Sequence, residues 1–263
     1  MIVQGKLITI WSTRGNMGNT FTAINLAKKI SEMSEKSKTI LVDFNLTQPR
    51  ISNYLEMEDM NHTIDNLYPF ASGQNLSGDI IEANCEKYEK LFVLKGTLNP
   101  SFTDFIKPEI LENIIQVLKD NFNNIILDVH SSLNNSGTYV ALKQSDYVYT
   151  MLHRDLMSIL SLNDIKPFLL SAFDKDKFKI LFNKGSKKIY IPLDEITKSL
   201  NMESIGELPY ISNSYNLINK GEFKNIVKEK DSKEYFNTLD TIIQEQKLIL
   251  NPTKNKKKLF FFK

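Results

Sequence analysis

The sequence contains few cysteines, arginines and histidines, and each shortage narrows the classes of protein to which the chain can belong. The single cysteine, Cys85, excludes a disulfide framework within one chain and fits a reducing compartment. The only arginines, Arg14, Arg50 and Arg154, provide few planar guanidinium groups for recognising phosphates or bases. The three histidines lack the spacing of metal ligands, and no Gly-x-Ser-x-Gly motif is present. Disulfide scaffolds, histidine metal sites and serine-hydrolase chemistry are therefore not indicated.

A basic leader and long hydrophobic runs are missing as well. Residues 1–6 lead directly into a short apolar segment, so we expect a cytoplasmic protein. The net charge of the 263 residues is +2, but five lysines lie among the last thirteen residues, which leaves −3 for the residues before them. A broad surface for binding nucleic acid is therefore not indicated, and nucleic acid is the less favoured partner.

The sequence does contain a regular alternation of buried-type strands and helical patterns. The strand patterns cover Leu7–Trp11, Thr39–Asp43, Leu91–Leu94, Asn123–Asp128, Tyr147–Leu152, Lys179–Phe182 and Ser204–Leu208. The helical patterns cover Ala23–Ile30, Pro108–Asn121, Tyr139–Gln144, Leu156–Leu170, Leu193–Leu200 and Lys233–Leu250, the last before Asn251-Pro252. This alternation predicts an α/β fold, a mostly parallel twisted sheet with helices on both faces. We predict one domain over residues 1–250 and a tail over residues 251–263.

A turn containing two glycines joins the first predicted strand to the first predicted helix. A phosphate-binding loop needs glycines that let backbone N–H groups face the phosphates, a lysine for the phosphate oxygens, and a serine or threonine for magnesium. Gly15, Gly18 and Thr20 meet two of these needs, whereas Asn19 stands at the lysine position. Since such a turn also arises for steric reasons, this segment alone does not separate a phosphate loop from a simple strand-to-helix turn.

Segments along most of the chain resemble the ParA/MinD family of P-loop ATPases. Residues Arg14–Thr20 resemble its deviant Walker A motif, Lys-Gly-Gly-x-Gly-Lys-Thr, and Asp43-Phe44-Asn45 resembles its Asp-x-Asp segment. Ile125–Asp128 resembles the Walker B strand, and Ile191–Ile196, Ile205–Tyr210 and Asn219–Gly221 resemble the C-terminal third of the family. The resemblance spans residues 5–250. Within the family, residues 99–109 are most similar to the CpaE/TadZ branch, which acts in localising pilus-assembly machinery.

The resemblance implies a site for ATP and magnesium. The implied nucleotide-binding residues are Arg14, Gly15, Asn16, Met17, Gly18, Asn19 and Thr20, with Asn183 contacting the base. The implied magnesium residues are Thr20, Asp43 and Asp128, partly through water. The resemblance also implies a homodimer in which the residue at position 14 reaches the phosphates of the partner.

The chain departs from the family pattern at the residues that matter most for hydrolysis. Arg14 replaces the signature lysine, Asn16 the second glycine, Asn19 the phosphate-binding lysine, and Asn45 the aspartate that orients water. A charge-assisted hydrogen bond is worth roughly 1.5–3 kcal/mol, so its loss weakens nucleotide binding by about 10- to 150-fold. Hydrolysis loses both the cation and the carboxylate that act on the transition state. We therefore expect a degenerate ATPase that serves a positioning or scaffold role in a pilus (Tad-type) or secretion assembly.

The last ten residues combine a basic and an aromatic cluster, formed by Lys256, Lys257, Lys258, Phe260, Phe261 and Phe262. This combination favours reversible contact with an anionic membrane or a partner over a solvated tail, so the protein is expected to be cytoplasmic with peripheral membrane contact. Two other interpretations stay open at this point. One is an active ATPase of the same family in DNA partitioning or membrane-associated positioning, and the other is an interaction module that binds no nucleotide.

Overall fold

The computed structural model describes residues 4–33, 36–59, 61–185 and 191–248, and one sheet of eight strands runs through them. The strands are β1 (Lys6–Trp11), β2 (Thr39–Asp43), β3 (Glu86–Tyr88), β4 (Leu91–Leu94), β5 (Asn124–Asp128), β6 (Tyr147–Leu152), β7 (Phe178–Gly185) and β8 (Ser204–Pro209). Their order is β3-β4-β2-β5-β1-β6-β7-β8. Every neighbouring pair is parallel except β3 and β4, which are antiparallel. The predicted mostly parallel sheet is therefore confirmed.

Helices cover both faces of this sheet. They are α1 (Asn19–Met33), α2 (Ile51–Leu55), α3 (Tyr68–Ser72), α4 (Gly78–Ala83), α5 (Pro108–Asn121), α6 (Ser136–Gln144), α7 (Leu156–Ala172), α8 (Leu193–Leu200), α9 (Ser214–Asn219) and α10 (Ser232–Glu245). Because successive strand residues point to opposite faces, Leu7 and Trp11 enter one hydrophobic core while Ile8 and Ile10 enter the other. Burial on both faces explains why the central strands are almost continuously apolar.

Several helix boundaries differ from the sequence-based prediction, and those of α6 and α10 have a clear physical reason. Helix α6 starts at Ser136 rather than Tyr139, because the side chain of Asn135 caps it by accepting from the Thr138 N–H. Helix α10 ends at Glu245, so the prediction that it continues to Leu250 and is stopped by a proline is wrong. Lys247 adopts a left-handed φ of 50°, and the N–H of the buried Leu248 donates to the Ile243 carbonyl. This is the hydrogen-bond pattern that ends a helix without proline.

The predicted basic and aromatic tail, including Lys256, Lys257, Lys258, Phe260, Phe261 and Phe262, lies outside the described residues. No helix within the described ranges has the length and apolar character needed to cross a bilayer.

Candidate nucleotide-binding site

A cleft of about 380 Å³ opens at the edge of the sheet where the parallel strands end. Small-molecule sites commonly occupy roughly 300–1,000 Å³, and ligands of open α/β sheets bind at this edge. The predicted site residues that line the cleft are Arg14, Gly15, Asn16, Met17, Gly18, Asn19, Thr20, Asn45, Asp128 and Asn183. The sequence therefore identified one wall of a real cavity, although these residues are up to 169 positions apart in the chain.

The glycine turn has the shape of an anion-binding loop in spite of its altered residues. Asn16, at the position of the family's second glycine, adopts a left-handed φ of 63°, and Gly18 has a φ of 89°. Asparagine is one of the few residues other than glycine that tolerate this conformation, so the replacement keeps the backbone path. The loop leads into the 15-residue helix α1, whose N-terminal dipole and free N–H groups favour an anion.

Asn19 fills the place of the phosphate-binding lysine with a neutral, internally bonded side chain. Its Nδ2 donates to Ser12 Oγ at 2.9 Å, and Ser12 Oγ donates to the Arg14 carbonyl at 2.7 Å. Asn19 Oδ1 is buried and has no hydrogen-bond partner among the described residues. This polar chain ties the two ends of the loop together, but it brings no positive charge to its centre.

Thr20 and Asp128 form the part of the site that fits magnesium. The Thr20 hydroxyl donates to Asp128 Oδ2 at 2.6 Å, while Asp128 Oδ1 is buried without a partner in the described structure. A hydroxyl and a carboxylate oxygen are the hard ligands that magnesium prefers, usually together with water. Burial raises the pKa of Asp128 well above its ordinary value, and the charge of Asp43 raises it further, against the hydrogen bond from Thr20. A bound cation would relieve both effects.

The Asp43 carboxylate is bonded to the loop that follows β2, and Asp43 does not line the cleft. Its Oδ2 accepts from the backbone N–H groups of Arg50 at 2.7 Å and Ile51 at 2.8 Å, and its Oδ1 accepts from Asn45 at 3.3 Å. Burial raises the pKa of Asp43 to about 7, although these three hydrogen bonds oppose the shift. The structure thus gives Asp43 the role of ordering residues 44–51, and its part in magnesium binding stays a sequence-based prediction.

Asn45 lines the cleft, where the family has an aspartate that orients water. Its Oδ1 accepts from the Gln48 N–H at 3.0 Å and so closes the turn that follows β2. An amide oxygen serves this structural purpose as well as a carboxylate does, but the amide group cannot take up a proton. The turn is therefore closed by Asn45, and position 45 has no carboxylate.

Asn183 supports the loop from the end of β7. Its Nδ2 donates to the Met17 carbonyl at 2.7 Å, and a Cβ at Gly18 would lie 2.3 Å from that nitrogen. The Asn183 amide therefore holds the loop at a fixed distance from the sheet. The space next to the Gly18 Cα has no room for a side chain. Contact of Asn183 with the base stays a prediction.

Gly18→Ala is expected to lower the affinity for nucleotide by about tenfold or more. The substitution adds left-handed strain of about 1–3 kcal/mol and pushes Asn183 away from Met17. Titration with a fluorescent ATP analogue measures the effect. Gly221→Ala is the matched control, because Gly221 is also left-handed, with a φ of 68°, it does not line the cleft, and a Cβ there would make only ordinary contacts with Glu56. Equal affinities of the two variants would contradict this role of Gly18.

The sequence reasoning missed the opposite walls of the cleft. They contain the cations Arg50 and Lys184 and the aromatic residues Phe21, Tyr54, Tyr210, Tyr215 and Tyr235. These residues come from the ends of β7 and β8 and from helices α1, α2, α9 and α10, so no spacing in the sequence links them. Lys184 was adjacent to a predicted residue, Asn183, and that position was the only available signal.

Arg14 lies at the outer rim of the cleft. Its Nη1 is 3.8 Å from an oxygen of Asp155, and the two side chains are 44% and 47% exposed. Such an exposed pair contributes at most about 1 kcal/mol, so it holds the guanidinium only weakly. Asp155 also caps α7, and Ser161 of that helix donates to Thr13 Oγ1 at 2.9 Å. Helix α7 therefore borders the phosphate loop on the side from which Arg14 projects.

The sequence and the fold are both similar to those of known proteins. The chain is 26% identical over 224 residues to the septum site-determining protein MinD of Synechocystis, an alignment covering 83% of this chain and 81% of that protein. Its fold matches a ParA family ATPase from Chlorobium tepidum with a TM-score of 0.78 at 17% identity, covering 90% of this chain and 98% of the other. It also matches MinD from Pyrococcus horikoshii, solved with Mg-ADP, with a TM-score of 0.71 at 18% identity over 92% and 96% of the two chains.

A family model described as an AAA domain matches residues 5–178, which include the phosphate loop, Asp43 and Asp128. The match covers more than half of the chain and every strand from β1 to β6. The chain therefore belongs to this AAA-domain family, and it has the fold of the ParA/MinD P-loop ATPases.

Proposed function

We propose that this protein is a ParA/MinD-like positioning or scaffold subunit that binds ATP with magnesium weakly and hydrolyses it very slowly or not at all. One observation carries the proposal. Asn19 occupies the lysine position and is bonded to Ser12, while the Thr20–Asp128 pair and the open cleft are intact. The cleft and the magnesium pair that serve nucleotide binding are retained. The lysine and the aspartate that act on the transition state in the family are missing.

The expected loss of nucleotide affinity is smaller than the expected loss of hydrolysis rate. Losing one charge-assisted hydrogen bond weakens binding by about 10- to 150-fold, which leaves binding at cellular ATP concentrations possible. Removing a single group that stabilises transition-state charge lowers the rate by about 10²- to 10³-fold. Asn19 stands at such a position here, and Asn45 stands where the aspartate of the family orients the attacking water. Hydrolysis is therefore affected far more than affinity.

Magnesium fits between the phosphate loop and β5. The Thr20 hydroxyl and the unpartnered Oδ1 of Asp128 would hold it, partly through water. The ion supplies positive charge next to the nucleotide's phosphates, which partly compensates for the missing lysine. Asp43 would act on the same site indirectly, by keeping residues 44–51 in place.

We further propose that the protein acts as a homodimer with a partner assembly. Next to Arg14 at the cleft mouth, Leu156 and Met157 of α7 are 61% and 60% exposed, and a second copy could cover them. In the segment that resembles the CpaE/TadZ branch, Phe102 and Phe105 are 65% and 79% exposed. Exposed aromatic residues of this size are typical of protein-binding surfaces, so they support a protein partner, while the proposed pilus or secretion setting rests on the resemblance of this segment.

The proposed setting is the cytoplasm, with peripheral contact at the membrane. The support is the amino-acid pattern of residues 254–263, in which lysines are attracted to anionic lipid and phenylalanines enter the interface. The contact is expected to be reversible, since neither cluster alone gives stable anchoring.

Titration of the purified protein with a fluorescent ATP analogue and magnesium tests the proposal, with sedimentation of the same samples with and without anionic vesicles. We expect saturable binding, dimer formation, vesicle association and no phosphate release above background. Steady turnover that Asp128→Ala abolishes would establish an active ATPase instead. Absence of binding at about millimolar ligand would show that the fold serves only as an interaction module.

A further inference from the structure

We propose that Lys184 supplies the phosphate-binding cation that the loop has lost at Asn19. The inference rests on the proposed binding of ATP and names the residue that makes such binding possible. In this arrangement the polyphosphate of a nucleoside di- or triphosphate is held by a lysine from the end of β7. The anion-binding shape of the loop is then combined with a charge from another element of the fold.

Lys184 has a strained backbone conformation at the end of β7. It follows Asn183 at the end of β7 and has a φ of 55°, in the left-handed region. For a residue with a long side chain this conformation costs roughly 1–2 kcal/mol, and such strain is concentrated at functional sites. Asn16 in the phosphate loop is also left-handed, with a φ of 63°. The two strained residues meet, because Lys184 Nζ lies 3.3 Å from the Asn16 carbonyl oxygen.

The partners of the Lys184 ammonium group are neutral. Besides the Asn16 carbonyl, it donates to the Tyr215 hydroxyl at 2.7 Å. No carboxylate of the described residues forms an ion pair with it, whereas Lys28, Lys119 and Lys179 all have such partners. The positive charge of Lys184 is therefore available to an anion in the cleft that it lines. A phosphate can replace two neutral acceptors and form a stronger, charge-assisted bond.

The electrostatic environment beneath the phosphate loop supports the placement of Lys184 beside the phosphates. His153 lies under the loop, half-buried, and its pKa is lowered by burial first and by the Lys184 charge second. Arg14 acts on it in the same direction, while Asp155 opposes both. Lys184 from β7 and Arg14 from the loop itself therefore both place positive charge beside the phosphate loop. A lysine also suits the task because its flexible four-carbon chain carries a compact charge that can move to the ligand.

Lys184→Gln tests the inference, with Lys175→Gln as the matched control. Lys175 is exposed and precedes β7 at the opposite end of the strand from the cleft. Glutamine keeps a polar side chain that is unbranched at Cβ, as in lysine, but carries no charge, and a thermal melt verifies that each variant folds. We expect the affinity for a fluorescent ATP analogue to fall about 10- to 100-fold in Lys184→Gln and to stay unchanged in Lys175→Gln. Lys184→Arg should retain most of the affinity.

Competition by ATP, ADP and adenosine then identifies the part of the ligand that Lys184 binds. We expect the substitution to weaken competition by ATP and ADP and to leave adenosine unchanged, since adenosine has no phosphate. Equal weakening for adenosine would overturn the inference and place Lys184, with Tyr215, at the base. Unchanged ATP affinity in Lys184→Gln would overturn it while leaving the proposed function intact, whereas failure of the wild type to bind would overturn both.

In a second test, Asn19→Lys is introduced into the Lys184→Gln variant. Because the two lysines are expected to serve the same phosphates, Asn19→Lys should restore affinity to within a few-fold of the wild type. If the double variant binds ATP as weakly as Lys184→Gln does, the two lysines do not serve the same phosphates, and the inference is overturned.

Discussion

The double substitution Asn19→Lys and Asn45→Asp is expected to raise the rate of ATP hydrolysis by about 10²- to 10³-fold over the wild type. The lysine restores positive charge where negative charge develops on the transferred phosphoryl group, and the aspartate restores a carboxylate beside the attacking water. Each single substitution should give a smaller gain, because charge stabilisation and water placement act on the same transition state.

The structure indicates that both replacements can be accommodated. Aspartate at position 45 can accept the same 3.0 Å hydrogen bond from the Gln48 N–H, so the turn after β2 is kept. Lysine at position 19 loses the bond to Ser12, but the loop is also held by the contact between Asn183 and Met17. Thr20 and Asp128 stay available for magnesium.

Steady-state phosphate release at saturating ATP and magnesium measures the effect. Asp128→Ala in the doubly substituted protein should abolish the gain, which excludes a contaminating ATPase. Asn237→Lys, on the exposed surface of α10, controls for added charge away from the cleft. If the doubly substituted protein binds ATP tightly and still shows no gain, the altered residues do not account for slow hydrolysis.

Much of the fold was predictable because its strongest signals are local. The strands Leu91–Leu94 and Tyr147–Leu152 and the helices Pro108–Asn121 and Leu193–Leu200 have the predicted bounds. The helix patterns repeat over two or more turns, and buried parallel strands are uniformly apolar. The edge strand Glu86–Tyr88 has only three residues, none of them fully buried. Its pairing with β4 comes from the hairpin context, which a three-residue pattern cannot reveal.

Some residues of the candidate site were likewise predictable from sequence patterns, and others were not. The loop from Arg14 to Thr20 and the strand-end aspartates were found from the glycine pattern and the resemblance to family motifs, and parallel strands bring their carboxyl ends to one edge. The role of Asp43 was not predictable, because it depends on backbone N–H groups seven and eight residues further along the chain. Lys184 meets Asn16 across 168 positions and Tyr215 across 31. Only the folded structure shows that these three residues share a cleft.

In metal-free buffer, Asp128→Asn is expected to raise the free energy of unfolding at pH 8 by about 1–3 kcal/mol, the size of roughly one to two pKa units of charge repulsion. Asp43 and Asp128 are register partners on the adjacent strands β2 and β5, and both are buried. When both are ionised they repel each other at a distance set by neighbouring strands. Asparagine removes one of the two charges and keeps the shape of the side chain.

The dependence on pH gives this prediction a second readout. A carboxyl whose pKa rises on folding holds a proton that the unfolded chain releases, so the native state loses stability as the pH rises through the window between the two values. For Asp43, with an ordinary pKa of 3.8 and a folded value of about 7, the loss is about 4 kcal/mol between pH 4 and pH 8. The Asp128→Asn variant should show a shallower decline, so the variant and the wild type converge towards pH 5.

Chemical denaturation in EDTA at several pH values measures both effects, and Asp176→Asn on an exposed turn is the control. A variant that is no more stable than the wild type at pH 8 would show that the buried carboxylate pair is not strained. With magnesium and ATP the order should reverse, because ligand stabilises only a protein that binds it and Asp128→Asn removes a proposed magnesium ligand. The carboxylate that weakens the empty protein is thus the group through which magnesium and nucleotide would stabilise it.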